Sequence, residues 1–284
     1  MSNLLIFDGT YFLYRSYHAM PPLSTSDGRP TGAIKGAVNA LQSVMRNIKP
    51  KYAVAVFDGA GKTFRHDLYP EYKGNRPPRP SDLSPQFDPL MAITRAMGIT
   101  TICAEGMRVE ADDVIGTIAR QVQELDGFHV KIATGDKDMA QLVNKKVSLV
   151  NPYSDKWPVM RPDEVYQRFG VRPDQIIEYL AIIGDIADNI IGLRGVGPKT
   201  AANWLLKYGT LDNILKNVNQ LPERFRPLLL DSVEQLKLNV QLTTIKLDVP
   251  LNYSILDYEA KGFDVEELMW IFEDLEFNDS LFRS

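Results

Sequence analysis

The 284-residue sequence has few of the residues that bind soft metals or carry out redox chemistry. It contains one cysteine, Cys103, and three histidines. A single cysteine excludes an internal disulfide, a thiolate zinc site and a redox pair. Three histidines leave little scope for imidazole ligation or imidazole catalysis. A metal site in this chain must therefore use oxygen ligands, which suit Mg²⁺, Mn²⁺ or Ca²⁺.

The sequence also lacks a long hydrophobic run. Its N-terminus, MSNLLIFDG, has no basic segment and only a short apolar stretch, so we expect neither a signal peptide nor a transit sequence. With 44% hydrophobic and 24% charged residues, the composition is that of an ordinary globular protein. We therefore predict a cytoplasmic monomer with no membrane partner.

The net charge of −4 differs from the basic balance that is typical of nucleic-acid-binding proteins. Nine acidic residues, proposed below as one metal site, account for the difference, because the rest of the chain would carry +5 without them. Bound divalent ions would cancel part of the acidic charge. The acidic total therefore does not exclude a phosphate ligand.

The most distinctive stretch runs from Arg108 to Met139 and holds five carboxylates in two groups. Between the groups, apolar residues recur at intervals of three or four and are followed by the strand-like HVKIAT. The first group would lie at the N-terminus of a helix, and the second would follow a strand, where parallel sheets place their ligand sites. The groups are Glu110, Asp112 and Asp113, then Asp136 and Asp138. Both can face one crevice.

Two more predicted strands end in an aspartate, since LLIF runs into Asp8 and AVAVF runs into Asp58. Each acidic group alone has an ordinary structural explanation, because acids cap helices and aspartate is common in turns. Three strands that end in acids beside an acidic helix start would gather many like charges, which is costly unless a cation neutralises them. The pattern therefore predicts a divalent-metal site.

Strand and helix patterns alternate through residues 1–160. This alternation is typical of an α/β domain with a mostly parallel sheet flanked by helices. Beyond Arg161 the pattern is helical. We expect residues 161–284 to form a helical subdomain that packs against the first domain.

The segment 59–84 interrupts the alternation. It is polar and rich in proline, and segments of this length are usually functional lids or disordered. Its basic residues interleave with Tyr69 and Tyr72, which suits a channel for single-stranded nucleic acid, where cations meet phosphates and rings stack on bases. A solvated mobile loop is the alternative. The basic residues are Lys62, Arg65, Lys73, Arg76 and Arg79.

A phosphate-binding turn is predicted in the helical part. GLRGVGPKT, residues 192–200, lies between two helical patterns and places glycines before a proline at the first helical position. Glycines let backbone N–H groups approach an anion, and a helix N-terminus attracts phosphate. Such a turn would hold a DNA backbone irrespective of its sequence. Just before it, Asp185 and Asp188 add two carboxylates, for which capping or turn formation is the alternative explanation.

Six segments together resemble a known family: VEADDVIGTIA, ATGDKDMAQLV, GDIADN, GVGPKTAA, FDGAGKTFR and YKGNRPP. They are similar to the 5′ nuclease domain at the N-terminus of bacterial DNA polymerase I, which is related to flap endonucleases, and the resemblance covers nearly the whole chain. It implies a PIN-like 5′ nuclease fold with a C-terminal helix-three-turn-helix at about 173–208. It also implies 5′-3′ exonuclease action at nicked or gapped DNA, incision of 5′ flaps and removal of RNA primers in replication and repair. The chain would be a stand-alone nuclease or be fused to polymerase domains.

The resemblance further implies roles for the nine acids, which would hold two or more Mg²⁺ ions, replaceable by Mn²⁺. The first site would use Asp8, Asp58, Glu110 and Asp112. The second would use Asp136, Asp138 and Asp188, with Asp112 shared. The two acids that would support these ligands from behind are Asp113 and Asp185.

Other positions match residues that contact the substrate. Those expected to steer the flap and the scissile phosphate are Arg15, Tyr72, Lys73 and Arg76. Those expected to hold downstream duplex, with a potassium ion bridging backbone carbonyls to phosphate, are Gly195, Val196, Gly197, Lys199 and Thr200. In the basic segment, Arg65 and Arg79 are also expected to contact DNA. The chain departs from the family at Ala187, usually serine, and Ile191, usually proline, so we expect a looser turn there.

These residues predict two-metal hydrolysis. Metal-bound hydroxide would be the general base, while Lys73 and Arg76 would stabilise charge on the phosphate. Two alternatives stay open: a DNA-junction module whose acids only shape the fold, and an RNA-directed ribonuclease with a small acidic pocket. Metal-dependent strand cleavage would separate the first from a nuclease, and a preference for a duplex flap would separate the second.

Overall fold

A computed structural model of the chain describes residues 2–156 and 158–277. Six strands form its main sheet: β1 Ser2–Asp8, β2 Tyr52–Phe57, β3 Thr100–Cys103, β4 Phe128–Ala133, β5 Val147–Val150 and β6 Val159–Met160. Their order across the sheet is β3-β2-β1-β4-β5-β6, and all neighbours are parallel except β5 and β6. The predicted α/β domain with a mostly parallel sheet is confirmed.

Helices cover both faces of this sheet. In the first domain they are α1 Gly9–Ala19, α2 Gly32–Ile48, α3 Phe64–Leu68, α4 Phe87–Ala96 and α5 Ala111–Gln123. Side chains alternate between the faces along β1. Leu5 and Phe7 pack with α2 and α4, whereas Leu4 and Ile6 pack with α5. Each of these side chains is almost fully buried, which stabilises the fold by roughly 1.5–3 kcal/mol per residue.

The strand order determines where acidic residues meet. From β1 the chain winds outward through β2 and β3, and then returns to place β4 on the other side of β1. Parallel sheets open a crevice at the carboxyl ends of the strands where the winding direction changes. Asp8 ends β1, Asp58 follows β2, and Asp136 lies in the turn after β4. The topology therefore brings these three acids to one edge of the sheet.

The second part is helical, with α6 Pro162–Phe169, α7 Ile176–Ile183, α8 Pro198–Tyr208, α9 Leu211–Lys216, α10 Arg226–Asp231 and α11 Val233–Thr243. A two-stranded hairpin, β7 Gly184–Asp185 and β8 Ile190–Ile191, precedes α8. The buried amide of Asn239 on α11 donates to the carbonyls of Ala181 at 2.9 Å and Ile191 at 2.8 Å, and so ties α11 to α7 and the hairpin. Within the two described ranges, no helix has the length and hydrophobicity needed to cross a membrane.

Short 3₁₀ helices connect several of these elements. They are Ser84–Gln86, Asp138–Leu142, Pro173–Gln175, Val218–Gln220, Glu223–Phe225 and Ile255–Tyr258. One of them directly continues into α7, where the buried Gln175 side chain donates to the carbonyls of Leu205 and Gly209 at 2.9 Å each. These bonds fix α8 against the start of α7.

The chain after α11 returns to the α/β domain, although the expected boundary near residue 160 assigned it to the helical subdomain. The backbone N–H of Ala260 donates to the carbonyl of Lys51 at 2.9 Å, and the N–H of Lys261 donates to the carbonyl of Gly98 at 3.0 Å. The last helix, α12 Val265–Asp274, buries its apolar side chains in the core that contains α2 and α4. Residues 244–277 thus belong by their packing to the α/β domain, because the apolar stripe of α12 is covered there. The rest of the expected subdomain, 278–284, lies outside the described residues.

The placement of α12 predicts unequal effects of two neighbouring substitutions. Leu268 is fully buried and Met269 is 59% exposed. Leu268→Ala should lower the free energy of unfolding by about 2–5 kcal/mol, because it leaves a cavity in the core. Met269→Ala, the control on the same helix, should change it by less than about 0.5 kcal/mol. Denaturant unfolding followed by circular dichroism measures both, and equally small effects would contradict this packing.

Candidate active site

The start of α5 carries the first group of acids. Glu110 is its N-cap residue, and its N–H donates to Asp113 Oδ2 at 3.0 Å. Asp58 Oδ1 accepts a hydrogen bond from Ala111 N–H at 2.8 Å, which joins the end of β2 to the same helix start. Because N–H groups are unpaired at a helix N-terminus, negative charge is favoured there.

The turn after β4 carries the second group. The buried Thr134 hydroxyl contacts Asp8 Oδ2 at 2.8 Å and accepts from Asp136 N–H at 3.1 Å. Asp136 Oδ1 in turn accepts from Asp138 N–H at 2.9 Å. The carboxylate that ends β1 is thereby connected to the acids that follow β4.

The two groups meet in a cavity of about 400 Å³ at the carboxyl edge of the sheet. The predicted metal residues that line it are Asp8, Asp58, Glu110, Asp112 and Asp136. The predicted basic residues that line it are Lys73, Arg76 and Arg79. The residues that line it without having been predicted as site residues include Thr10, Tyr11, Tyr14, Thr63 and His66. The cavity therefore combines acidic, basic and aromatic side chains.

The acids in the cavity repel one another. Burial raises the pKa of Asp8 to about 7, although hydrogen bonds from Tyr11 and Thr134 oppose it. Burial, followed by the charges of Asp136 and Asp8, holds the pKa of Asp112 well above its ordinary value. Burial also raises the pKa of Asp136. These shifts would be reversed by a cation that neutralises the group.

Asp138 provides a further test of whether cations fit this region. Its Oδ1 atom is buried and has no hydrogen-bond partner within residues 2–156 and 158–277. Burial, then the charges of Asp136, Asp185 and Asp188, hold the pKa of Asp138 well above its ordinary value. Buried polar atoms are nearly always paired, so an unpaired carboxylate oxygen needs an explanation such as an ion. The donor set therefore fits a hard divalent cation.

The basic segment 59–84 folds over these acids. Lys73 Nζ lies 2.7 Å from Glu110 Oε1, and Arg76 Nη2 lies 2.5 Å from Asp188 Oδ1. The buried Tyr72 hydroxyl lies 2.9 Å from Asp188 Oδ2 and 3.2 Å from Glu110 Oε2. Burial alone would raise the pKa of Asp188, but Lys73 and Arg76 outweigh it and lower that pKa. This part of the segment is therefore held on the acids by charge.

These ion pairs use carboxylates that a metal ion would also need. In the part of the chain that the structure describes, no three carboxylate, imidazole or thiol groups converge closely enough to hold an ion as they stand. Lys73 and Arg76 already supply positive charge to Glu110 and Asp188. A divalent cation would compete with these two side chains for the same carboxylates.

Arg65 does not occupy the DNA-contacting position predicted for it. It is only 2% exposed, and its guanidinium donates to both carboxylate oxygens of Asp113 at 2.8 Å and to the carbonyls of Leu242 and Thr244 at 2.9 Å. Asp113 is fully buried and also accepts from Lys246 N–H at 2.8 Å. The prediction that Arg65 contacts DNA is corrected, because its donors are used inside the protein.

Asp113 and Asp185 have the contacts of supporting residues. Asp113 faces Arg65 instead of the cavity. Asp185 Oδ2 pairs with Lys137 Nζ at 2.8 Å, and its Oδ1 accepts from Ala187 N–H at 2.9 Å. The Ala187 carbonyl accepts from Arg76 Nε at 3.0 Å. Ala187 therefore joins this turn through its backbone, and its side chain is exposed.

The predicted phosphate-binding turn leads directly into α8. Gly195 has a φ of 76°, a conformation that favours glycine, and Gly197 is the N-cap before Pro198. Val196 is buried and anchors the turn, whereas Lys199 at the start of the helix is exposed. Of the remaining residues that are expected to contact DNA in this turn, Gly197 is exposed and Thr200 is half-buried. Ile191, the second departure from the family, is 64% exposed in the hairpin before it.

Of two further predicted arginines, Arg79 lines the cavity and Arg15 is not among its lining residues. Arg79 contacts the Tyr14 hydroxyl at 3.3 Å and lies 4.3 Å from the centre of the Phe87 ring. Arg15 is exposed on α1 and lies 5.4 Å from the centre of the Tyr153 ring. Both guanidinium groups are held by aromatic rings while their outer faces remain accessible.

Sequence comparison decides the family. Residues 3–170 match the model of the 5′-3′ exonuclease N-terminal resolvase-like domain, and residues 171–266 match that of the 5′-3′ exonuclease C-terminal SAM fold. The chain belongs to the 5′-3′ exonuclease family. The family resemblance inferred from the six sequence segments is thereby confirmed.

Two relatives show how the 5′-3′ exonuclease family is organised. The 5′-3′ exonuclease of Aquifex aeolicus is 40% identical over 281 residues, which are 99% of this chain and 94% of the relative. DNA polymerase I of Pseudomonas aeruginosa is 43% identical over a 290-residue alignment, which covers 98% of this chain and 31% of the relative. The chain thus spans about a third of its polymerase relatives and nearly all of the Aquifex protein.

Solved structures agree with this assignment. Bacteriophage T5 5′-exonuclease with bound zinc superposes with a TM-score of 0.73 at 25% identity, covering 96% of this chain and 98% of that protein. T5 flap endonuclease in a pseudo-enzyme-product complex with DNA and metal ions gives a TM-score of 0.70 at 26% identity, covering 96% and 99%. The predicted 5′ nuclease fold is confirmed.

Tyr11 and Tyr14 are cavity residues that were not predicted from the sequence. They lie one helical turn apart on α1, directly after Asp8, and both line the 5′-3′ exonuclease cavity. That spacing after a strand-ending acid was the available signal. His66 gave no comparable signal, because its neighbours in the sequence are ordinary polar residues. His66 lies in α3 and lines the cavity, and its Nδ1 atom accepts a hydrogen bond from Thr63 N–H at 3.1 Å.

The raised pKa of Asp8 predicts that the metal-free protein loses stability as the pH rises. Between an ordinary value of 3.8 and about 7, Asp8 stays protonated in the folded state and is ionised in the unfolded state. The folded state binds more protons, so the free energy of unfolding falls by roughly 1.4 kcal/mol per pH unit for each such carboxyl. Asp188, whose pKa is lowered, titrates below this range.

Denaturant unfolding in a chelator at about pH 5 and about pH 7 should show this fall, and Asp8→Asn should reduce it because the substituted side chain does not titrate. A free energy of unfolding that rises over this range in both proteins would contradict the crowding of charge in the cavity.

Proposed function

We propose that the chain is a structure-specific, metal-dependent 5′ nuclease that hydrolyses DNA phosphodiester bonds at 5′ flaps, nicks and gaps. The observation that carries this proposal is the cavity in which the carboxyl groups of Asp8, Asp112 and Asp136 all have raised pKa values. Such crowding has a chemical use where divalent cations and phosphate meet. Membership of the 5′-3′ exonuclease family supplies the substrate class.

Mg²⁺ is the cofactor that the oxygen donors favour, with Mn²⁺ as its substitute. The T5 structures titled with metal ions support metal dependence for this chain. We assign two or more ions, with Asp8, Asp58, Glu110 and Asp112 holding the first and Asp136, Asp138, Asp188 and a shared Asp112 holding the second. When bound, they would activate water and offset the charge of the reacting phosphate.

The chain's basic residues have two roles in this proposal. Without divalent cations, Lys73 and Arg76 neutralise Glu110 and Asp188. If these carboxylates held cations instead, both side chains would be free to contact the scissile phosphate. Tyr72 orients Glu110 and Asp188 through its hydroxyl. Arg15 and Arg79, each held beside an aromatic ring, steer the displaced strand.

In this proposal, the turn before α8 holds the duplex. Backbone N–H groups at a helix N-terminus bind phosphate without reading base sequence, and Lys199 adds a charge beside them. Gly195 gives the turn its conformation, and Val196 anchors it in the core. The carbonyls of this turn would hold the potassium ion that the family resemblance implies.

The biological substrates follow from the relatives. Two polymerase relatives carry this region as about a third of their length. We assign the chain the removal of RNA–DNA primers and 5′ flaps in replication and repair, as a cytoplasmic monomer or in one polypeptide with polymerase domains. The RNA-directed ribonuclease alternative lacks a use for the helical subdomain and its phosphate-binding turn.

Asp136→Ala should abolish cleavage while leaving flap binding largely unchanged, because this side chain would hold a metal. Turnover of a 5′-labelled flap duplex in Mg²⁺ should fall by more than about 100-fold, beyond the loss typical of supporting positions around a metal. Asp126→Ala, at an exposed acid outside the cavity, is the control and should leave turnover intact.

Equal losses of binding and cleavage in Asp136→Ala would argue against this assignment. Tight flap binding by the unaltered protein with no cut in Mg²⁺ or Mn²⁺ would favour a non-catalytic DNA-junction module.

Lys199→Ala should weaken duplex binding and reduce its salt dependence, because one phosphate contact is lost. The slope of log affinity against log salt concentration should become shallower by about 1. Lys207→Ala is the matched control, since Lys207 is exposed at the other end of α8. Fluorescence anisotropy with a labelled duplex measures both variants. An unchanged slope for Lys199→Ala, or equal changes for both variants, would argue against phosphate binding at the turn.

A further inference from the structure

One buried threonine is bonded to acids on two different strands. Thr134 directly follows β4 and has no exposed surface. Its hydroxyl lies 2.8 Å from Asp8 Oδ2, at the end of β1, and 3.1 Å from Asp136 N, in its own turn. Its backbone N–H donates to Val150 at 3.0 Å, which fixes the residue against β5. Thr134 is thus held by the sheet between the two groups of acids.

The direction of these hydrogen bonds is determined by their partners. A backbone N–H can only donate, so the hydroxyl must accept from Asp136. Its single proton is then available for Asp8, whose carboxylate can only accept once it is ionised, as it would be beside a bound cation. With Asp136 Oδ1 accepting from Asp138 N–H at 2.9 Å, the bonds form a continuous chain from Asp8 to Asp138.

The chain of bonds leaves the acids able to bind a cation. Asp8 Oδ1 accepts one hydrogen bond, from Tyr11 N–H at 2.9 Å, and Oδ2 accepts one from Thr134. Each carboxylate oxygen has two lone pairs, so each keeps one for another partner. Partners of this kind orient metal ligands without touching the metal. The β-branched side chain of threonine has few rotamers, which helps to keep its hydroxyl in one orientation.

On the basis of the proposed nuclease function, we propose that Thr134 is a positioning residue that sets the Asp8 carboxylate and the 134–138 turn in one fixed arrangement for divalent-cation binding. It contacts neither substrate nor cofactor itself. Its hydroxyl couples the acids of β1 to those after β4, and the sheet supplies the rigid frame through the bonded neighbours β1, β4 and β5.

Calorimetric titration of Mn²⁺ into the full, DNA-free chain tests this proposal. Thr134→Val keeps the shape of the side chain and removes the hydroxyl, so it should weaken Mn²⁺ binding by about 10- to 100-fold. Thr134→Ser keeps the hydroxyl and should remain within about threefold of the unaltered protein, because the cation ligands stay oriented. In flap cleavage, Thr134→Val should lower kcat while KM for the flap stays unchanged.

Thr94→Val is a matched control for the loss of a buried hydroxyl. Thr94 is also fully buried, but its hydroxyl bonds to Met91 O at 2.9 Å and to the Thr101 hydroxyl at 2.8 Å, away from the acids. This variant should bind Mn²⁺ as the unaltered protein does. Thermal unfolding in a chelator establishes that each variant is folded before titration.

The outcomes separate this proposal from the nuclease assignment. Absence of Mn²⁺ binding and cleavage in the unaltered chain would overturn the proposed function. Normal Mn²⁺ binding by Thr134→Val, in a chain that binds Mn²⁺ and cuts flaps, would overturn only the role of Thr134. If Thr134→Val does not fold, Thr134→Ala replaces it: affinity lost in Thr134→Ala and retained in Thr134→Ser supports the role of the hydroxyl, and equal affinity in both folded variants overturns it.

Discussion

Repulsion between like charges is the constraint on which the rest of this structure depends. The strand order gathers carboxylates at the point where the sheet reverses its winding, and burial there raises the pKa values of Asp8, Asp112 and Asp136. Positive charge must reach this edge for the acids to ionise together. In the described structure it comes from Lys73 and Arg76, which the segment 59–84 carries onto Glu110 and Asp188. Charge balance thus links the segment 59–84, which lies outside the sheet, to the acids at the edge of the sheet.

A second ion pair, Arg65 with Asp113, acts at the base of the same segment. It is almost entirely buried and joins α3 and α5 to the carbonyls at the end of α11. A buried charge is costly to leave unpaired, so the three elements keep a fixed relation. The helical subdomain, which carries the proposed phosphate-binding turn before α8, is therefore positioned relative to the acids. The proposed cutting of DNA at a defined distance from a bound duplex requires such a rigid connection.

The acids could be placed from the sequence because their signals are local. A buried strand that ends in aspartate and a helix that begins with acids both predict positions on one edge of a parallel sheet, as seen for Asp8 and Glu110. The start of α8 was also predictable, since glycine and proline determine backbone conformation at Gly195 and Pro198. Agreement is best where the chain's own neighbours fix the structure.

The remaining features depend on contacts that sequence patterns do not encode. Arg65 and Arg76 look alike in a basic segment, yet the Arg65 side chain is buried beside Asp113, whereas the Arg76 side chain is half exposed beside Asp188. The amphipathic pattern of α12 predicted a helix but not that it would cover the α/β core. Thr134 carried no signal at all, because its importance comes from bonds across two strands. Such tertiary contacts required the structure.

The most direct test of the charge-balance account is an anomalous diffraction map from a crystal of the protein grown with Mn²⁺. We expect anomalous peaks among the carboxylates of Asp8, Asp112 and Asp136, with Lys73 and Arg76 withdrawn from Glu110 and Asp188. A map without peaks in this cavity, with Lys73 and Arg76 still paired to these acids at high Mn²⁺ concentration, would contradict the account. The acids would then be balanced by the protein alone.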